Sequence, residues 1–184
     1  MKIVNKNPKI IMISGKARHG KDTVAMIIKD YYEQFNKKVV NLQIANSIKR
    51  YAQIISNWDG NEETKPREFL QYLGTSIIRE KIDNNFLIKQ LIEDIKVYSY
   101  FFDIVTISDV RLINEINMIK ENYKNNNLFK VIRSNFNNGL SKEQQNHITE
   151  IELDNYNSFD QIIYNDSDIA TLKNKIYQIL KELK

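Results

Sequence analysis

Apolar positions along this chain change period repeatedly, and the changes lay out its elements. Lys9 to Ser14 (K-I-I-M-I-S) is a short continuous apolar run that stops at a glycine, the pattern of a buried strand entering a tight loop. From Asp22 to Phe35, residues Val24, Ile27, Ile28, Tyr31 and Tyr32 return at helical spacing, and Asp22 is placed to favour the helix N-terminus. The opening therefore reads strand, loop, helix. Val39 to Ile44 reads as a second strand. Ile48 to Ile55 and Phe69 to Leu73 read as helices, the latter with Thr64 as its N-cap, Pro66 just inside, and Gly74 ending or bending it. A helix from Phe86 to Tyr98 precedes a third apolar strand from Phe101 to Ser108. Ile113 to Tyr123 is helical, Leu128 to Arg133 and Gln161 to Tyr164 are strand-like, and an amphipathic helix runs from Asp168 to Leu183.

Strands alternating with helices predict an α/β fold in three layers, helices covering both faces of a central five-stranded parallel sheet, with ligands at the carboxyl ends of the strands. At 184 residues the chain fits one such domain, 1–184. Ser134 to Asn157 breaks the alternation. It is polar, rich in Asn, Ser and Gln, and too long for an ordinary connection, so a lid or an irregular insertion is expected over about 134–157.

Composition mainly excludes. With 42% hydrophobic and 27% charged residues the chain is too apolar to stay disordered. Cysteine is absent, which rules out disulfides and thiolate metal sites, and the two histidines lack ligand spacing, which argues against structural zinc. The longest apolar runs fall far short of the ~20 residues that cross a bilayer, and no leader pattern opens the chain. A cytoplasmic protein without membrane contact is expected. The net charge of +4 is mild, and the abundance of Asn, Ile, Lys and Tyr resembles the usage of an AT-rich genome, which raises Lys without a functional cause. No concentrated basic stripe is present, so nucleic acid is not an expected partner.

The chemistry begins at Gly15-Lys16-Ala17-Arg18-His19-Gly20-Lys21-Asp22-Thr23, which matches the G-x-x-x-x-G-K part of the Walker A motif between a strand and a helix. Its glycines let successive amides face one point, the helix N-terminus adds positive potential, and Lys21 reaches the outer phosphates. ATP is the expected occupant. Asp22 replaces the usual Ser or Thr, and it is placed to hold Mg²⁺ directly or through water while Thr23 contacts the inner phosphate. Ile104 to Asp109 is an apolar strand ending in a carboxylate, the form of a Walker B element, in which Asp109 helps to hold the metal. Asp109 as an ordinary turn former is the plainer alternative. Arg111 lies at the same strand end, where a surface salt bridge is its plain alternative.

The cradle, with its Lys-Asp-Thr ending, is similar to that of the phage-type deoxynucleoside monophosphate kinases, within the adenylate-kinase-like P-loop kinases. Ala45 to Lys49 (A-N-S-I-K), Pro66 to Thr75 (P-R-E-F-L-Q-Y-L-G-T) with Arg79, Ser108 to Glu115 (S-D-V-R-L-I-N-E), His147 to Leu153 (H-I-T-E-I-E-L) and Ile163 to Asp166 (I-Y-N-D) resemble the same family in order and spacing. Asn46, Leu112-Ile113 and Phe86 depart from its usual residues, which leaves base and sugar preference open. The resemblance implies transfer of the γ-phosphoryl group of ATP to a (deoxy)nucleoside monophosphate, a helical acceptor-binding region over about 45–98, and a homodimer. It also implies roles. Lys21 and magnesium act on the ATP phosphates, while Lys49, Arg67 and Arg79 hold the acceptor phosphate and Arg111 and Arg133 meet charge developing in transfer. Gln71 and Glu115 are candidate base readers, and Glu150 and His147 are lid candidates, Glu150 also binding the acceptor. Trp58, in a polar stretch, is a candidate cover for the acceptor. Competing readings are a phosphomevalonate-like kinase on the same cradle and a nucleotide-regulated ATPase or binding module.

Overall fold

The structure, a computed structural model, describes residues 3–183. Its frame is one sheet of five parallel strands, β1 (Lys9–Ser14), β2 (Val39–Leu42), β3 (Ile104–Val110), β4 (Asn126–Ile132) and β5 (Gln161–Tyr164), in the order β2-β3-β1-β4-β5. β1 is central because it is apolar on both faces. Ile10 and Met12 point into one core and Ile11 and Ile13 into the other, all four fully buried. Burying each such side chain contributes about 1.5–3 kcal/mol.

Eight α-helices and one π-helical stretch complete the described chain. Helix α1 (Lys21–Glu33) and helix α8 (Ile169–Glu182) cover one face, packing Val24, Ile28, Leu172 and Ile176 against β1 and β4. Asp168 caps α8 by accepting the Thr171 amide at 2.9 Å. Helices α2 (Asn46–Ser56), α4 (Phe86–Tyr98) and α5 (Ile113–Asn122) cover the other face through Ile48, Leu91, Ile95 and Ile116. The three layers and the parallel sheet are as expected from the sequence.

Three local readings change. β3 begins at Ile104 rather than Phe101, since α4 closes into a turn in which the Phe101 and Phe102 amides bond back to the Tyr98 carbonyl. β3 also runs on to Val110, with its register on β1 shifting by one residue between Met12 and Ser14. Thr64 does not cap a helix. Its hydroxyl bonds Asp59 at 2.6 Å, and helix α3 (Arg67–Tyr72) starts after Pro66. Gly74 does not end that helix either, because the chain continues from α3 into a π-helical stretch, Leu73–Ile82. A Cβ on Gly74 would stand 2.9 Å from Ile48 Cδ1, so a larger residue here would require the Ile48 side chain on α2 to shift.

The segment after β4 contains helices α6 (Lys142–Gln145) and α7 (Ile148–Ile151). It is anchored by Leu153, which is buried in the core beside β4. Among the described residues no helix is long and apolar enough to cross a membrane.

Candidate active site

β1 ends at the middle of the sheet, and the loop from Gly15 to Gly20 bends there into α1. Glycine is required at both ends of the bend. Gly15 has φ +147° and would put a Cβ 2.4 Å from the Val131 carbonyl oxygen, and Gly20 has φ +98° and would meet Asn165 at 2.5 Å. No side chain caps α1, so its first-turn amides stay available to an anion. Lys21 opens the helix, buried, with its ammonium donating to the Lys16 carbonyl at 2.8 Å across the loop. Burial first, and Arg111 second, lower its pKa to about 7. An unscreened cation is costly there, and phosphate oxygens would supply the missing partner.

A cleft of about 450 Å³ opens from this cradle. The structure brings Ala17, Arg18, Lys21, Asp22, Lys49, Arg67, Gln71, Arg79, Asp109, Arg111, Glu115 and Glu150 to its walls. Asp22 Oδ1 accepts from Ser108 Oγ at 2.7 Å and from Gln43 Nε2 at 3.0 Å. Asp109, placed at the shifted end of β3, gives one oxygen to the Ile44 amide at 2.8 Å and the other to the Ala45 amide at 2.9 Å. Its carboxylate fastens the turn between β2 and α2, and desolvation raises its pKa despite those bonds.

Glu115 plays a comparable part on the neighbouring loop. One oxygen accepts the Arg111 amide at 2.9 Å and the Leu112 amide at 3.0 Å, capping α5, and the other pairs with Arg79 Nη2 at 3.0 Å. Arg79 also donates to the Gly74 carbonyl at 3.1 Å, a contact within the π-helical stretch. Glu62 bridges Lys65 and Arg67, and Lys49 bonds Gln43. A row of basic side chains from α2, α3 and the π-helical stretch thus faces the same cleft as Lys21.

The segment between β4 and β5 sits across the cradle. Lys16 pairs with Asp154 at 2.9 Å, the Ala17 amide donates to Glu150 at 3.0 Å, and Arg18 donates to the Asn138 carbonyl at 2.9 Å. Arg111 bonds both the Thr149 carbonyl, at 3.0 Å, and Glu150. His147 bridges this segment to Thr75 at 3.3 Å and to Thr149 at 2.9 Å, and burial lowers its pKa.

Arg133 is elsewhere. Its guanidinium lies 4.2 Å over the Phe136 ring, its amide donates to His19 Nδ1 at 3.2 Å, and it does not line the cleft. His19 is buried beneath it, and burial lowers its pKa. Thr23 stands in the first turn of α1, off the cleft wall. Trp58 donates to the Asn61 carbonyl at 3.1 Å and does not reach the cleft either. Sequence reasoning missed Gln43, Glu62, Lys65 and Asp154. Gln43 and Asp154 acquire their partners only when separate segments meet, whereas Glu62 pairs locally with Lys65 and Arg67 in a polar loop whose spacing marks no site.

The sequence profile of the deoxynucleotide monophosphate kinase family matches residues 52–176. The chain belongs to this family. The match begins within α2, spans the elements from α3 through β5 and ends within α8; the loop from Gly15 to Gly20 lies before it and is recognised by its own geometry. A protein of Acanthamoeba polyphaga mimivirus, named by inference as a deoxynucleotide monophosphate kinase, is 30% identical over 122 residues, 60% of this chain and 58% of that relative. The matched part thus spans less than two thirds of the relative's length. The fold of this family member is that of P-loop kinases. The APS kinase of Mycobacterium tuberculosis in complex with AMPPNP and APS superposes with a TM-score of 0.56 at 9% identity, over 95% of this chain and 98% of that one. A gluconokinase from Sinorhizobium meliloti 1021 superposes with 0.54 at 10% identity, over 96% and 93%. The dephospho-CoA kinase of Campylobacter jejuni gives 0.51 at 13%, over 97% and 98%.

Proposed function

We propose that this protein transfers the γ-phosphoryl group of ATP to a deoxynucleoside monophosphate, forming the diphosphate. The observation that carries the reading is that one cleft holds both a phosphate cradle with its buried Lys21 and a separate set of cations, Lys49, Lys65, Arg67 and Arg79, with Arg111 beside Lys21. Two phosphate sites in one cleft suit transfer between two phosphorylated molecules better than hydrolysis of one. Family membership supplies the nucleotide class of the acceptor.

Phosphoryl transfer asks for alignment and positive charge rather than covalent chemistry. The amides of the cradle and Lys21 hold the donor phosphates. Arg67 and Lys49 bind the acceptor phosphate, with Arg79 held ready by Glu115, and Arg111 meets charge that develops on the moving group. Gln71 on α3 faces the acceptor base. Arg133, stacked on Phe136 off the cleft wall, meets the same developing charge when the lid closes. The segment 134–157 acts as a lid that keeps water from the γ-phosphate.

The residues present fit a magnesium ion. Asp22 has one oxygen bonded to Ser108 and Gln43, while its other accepts no hydrogen bond from the described residues, and Mg²⁺ binds through one or two carboxylates plus waters and phosphates. Asp22 and Ser108 would hold it, with Asp109 fixing the adjoining turn. The ion supplies charge neutralisation at the phosphate oxygens when bound.

The test is ADP release coupled to a reporter across all ribo- and deoxynucleoside monophosphates, with phosphomevalonate as a further acceptor. Turnover that requires one of the monophosphates is expected. ATP hydrolysis indifferent to every acceptor would refute the kinase reading.

A further inference from the structure

Glu150 is a buried carboxylate held by two groups that a kinase needs for phosphate. Oε2 accepts the Ala17 amide of the cradle at 3.0 Å, and Oε1 takes Nη1 of Arg111. A loop amide, a guanidinium and a lysine close by make up the donor set that recognises an anionic phosphoryl oxygen. Here an internal anion uses it. The carboxylate is brought there by α7, whose segment is tied down on either side by the contacts of Lys16 with Asp154 and of Arg18 with the Asn138 carbonyl.

We propose that Glu150 is a specificity-determining residue: it occupies the position of the terminal phosphate and must be displaced by a triphosphate, but not by a diphosphate. This rests on reading the cleft as an ATP site. The uncapped first-turn amides of α1 come after Gly20, at the far end of the loop from Ala17, and are not used by Glu150, so the two inner phosphates can seat with the carboxylate in place. A third phosphate needs Ala17 and Arg111. Two anions cannot share those donors, because like charges in one desolvated site oppose each other strongly. Once the terminal group has moved to the acceptor and left as part of the product, the cradle again holds a diphosphate. Glu150 then regains Arg111 and the Ala17 amide, and the lid contacts reform without that product. The residue sets the balance between substrate and product nucleotide in the donor site.

Calorimetric titration of the full chain with the β,γ-imido analogue of ATP and with ADP, without acceptor, tests this in wild type and in Glu150→Gln. The variant removes the charge and keeps an acceptor for the Ala17 amide. The analogue is expected to bind about tenfold or more tightly to the variant, with ADP changed less than about twofold. Unchanged or weaker analogue binding, or equal gains for both nucleotides, overturns the proposal. Should Glu150→Gln fail to fold by circular dichroism, the wild-type protein labelled with ¹⁵N-alanine answers the same question. The Ala17 amide resonance is expected to move with the analogue and not with ADP, and an equal shift with both overturns the idea. The two readings fail separately. A protein that shows the Glu150 effect but phosphorylates no monophosphate sinks the kinase assignment alone, whereas an active kinase without the effect sinks this one alone.

Discussion

Arg79 and Glu115 meet at 3.0 Å with their side chains 12% and 4% exposed, joining the π-helical stretch to the N-terminus of α5. The same carboxylate holds the Arg111 and Leu112 amides, so one side chain sets the position of two arginines that face the cleft. Removing it would leave two amides without their acceptor and the Arg79 guanidinium with only the Gly74 carbonyl.

Glu115→Ala is therefore expected to destabilise the fold by about 3–5 kcal/mol, the usual consequence of leaving one partner of a buried ion pair alone. Urea unfolding followed by circular dichroism measures it. A loss below about 1 kcal/mol would show that the pair is not structural.

Lys21→Ala is expected to leave a folded protein with turnover lowered on the order of 10²-fold or more, since it removes a charge at the transferring group. Steady-state kinetics alongside a melting curve separates the two effects. Near-normal turnover by the folded variant excludes the assigned role.

The pKa of Lys21 near 7 predicts proton uptake when polyphosphate binds. Phosphate oxygens favour the ammonium and raise its pKa, so the bound form holds a proton that the free form has partly lost. The sign is positive uptake, small at about pH 6 where both forms are protonated and approaching one proton at about pH 8.5. Calorimetry in buffers of different ionisation enthalpy reads it directly, and proton release over that range contradicts the burial argument.

Arg67→Ala is expected to raise the acceptor KM by about tenfold or more while that of ATP moves little, because its one partner in the described structure is the exposed Glu62 rather than any cradle group. Equal rises for both substrates would place Arg67 on the wrong side of the cleft.

Asp22→Asn should shift the magnesium concentration for half-maximal rate upward, on the order of tenfold, as a charged oxygen is lost beside Ser108. Asp109→Asn should instead lower the melting temperature, since the carboxylate fastens the Ile44 and Ala45 amides. A magnesium titration and a thermal melt on each variant distinguish the two aspartates.

Much of this was legible in one dimension because it depends on local order. The run Lys9 to Ser14, the glycines at 15 and 20, and Lys21 are contiguous, and a buried strand followed by a glycine bend and a helix has few other solutions. The five strands and the long helices follow from period alone, with boundary shifts such as the late start of β3 where α4 winds into a turn. Partnership was not legible. Asp109 reads as a strand-end carboxylate, yet which amides it takes depends on where the β2–α2 turn arrives. The π-helical stretch, where Gly74 lies beside Ile48 of α2 and Arg79 bonds back to the Gly74 carbonyl, has no period signal of its own over so short a span. Glu150 in the cradle and Arg133 on Phe136 both belong to the polar segment after β4, whose sequence lacks a periodic face. Hydrogen bonds and ion pairs between distant segments are short-ranged, and they are decided only once the core has set those segments within a few ångströms of each other.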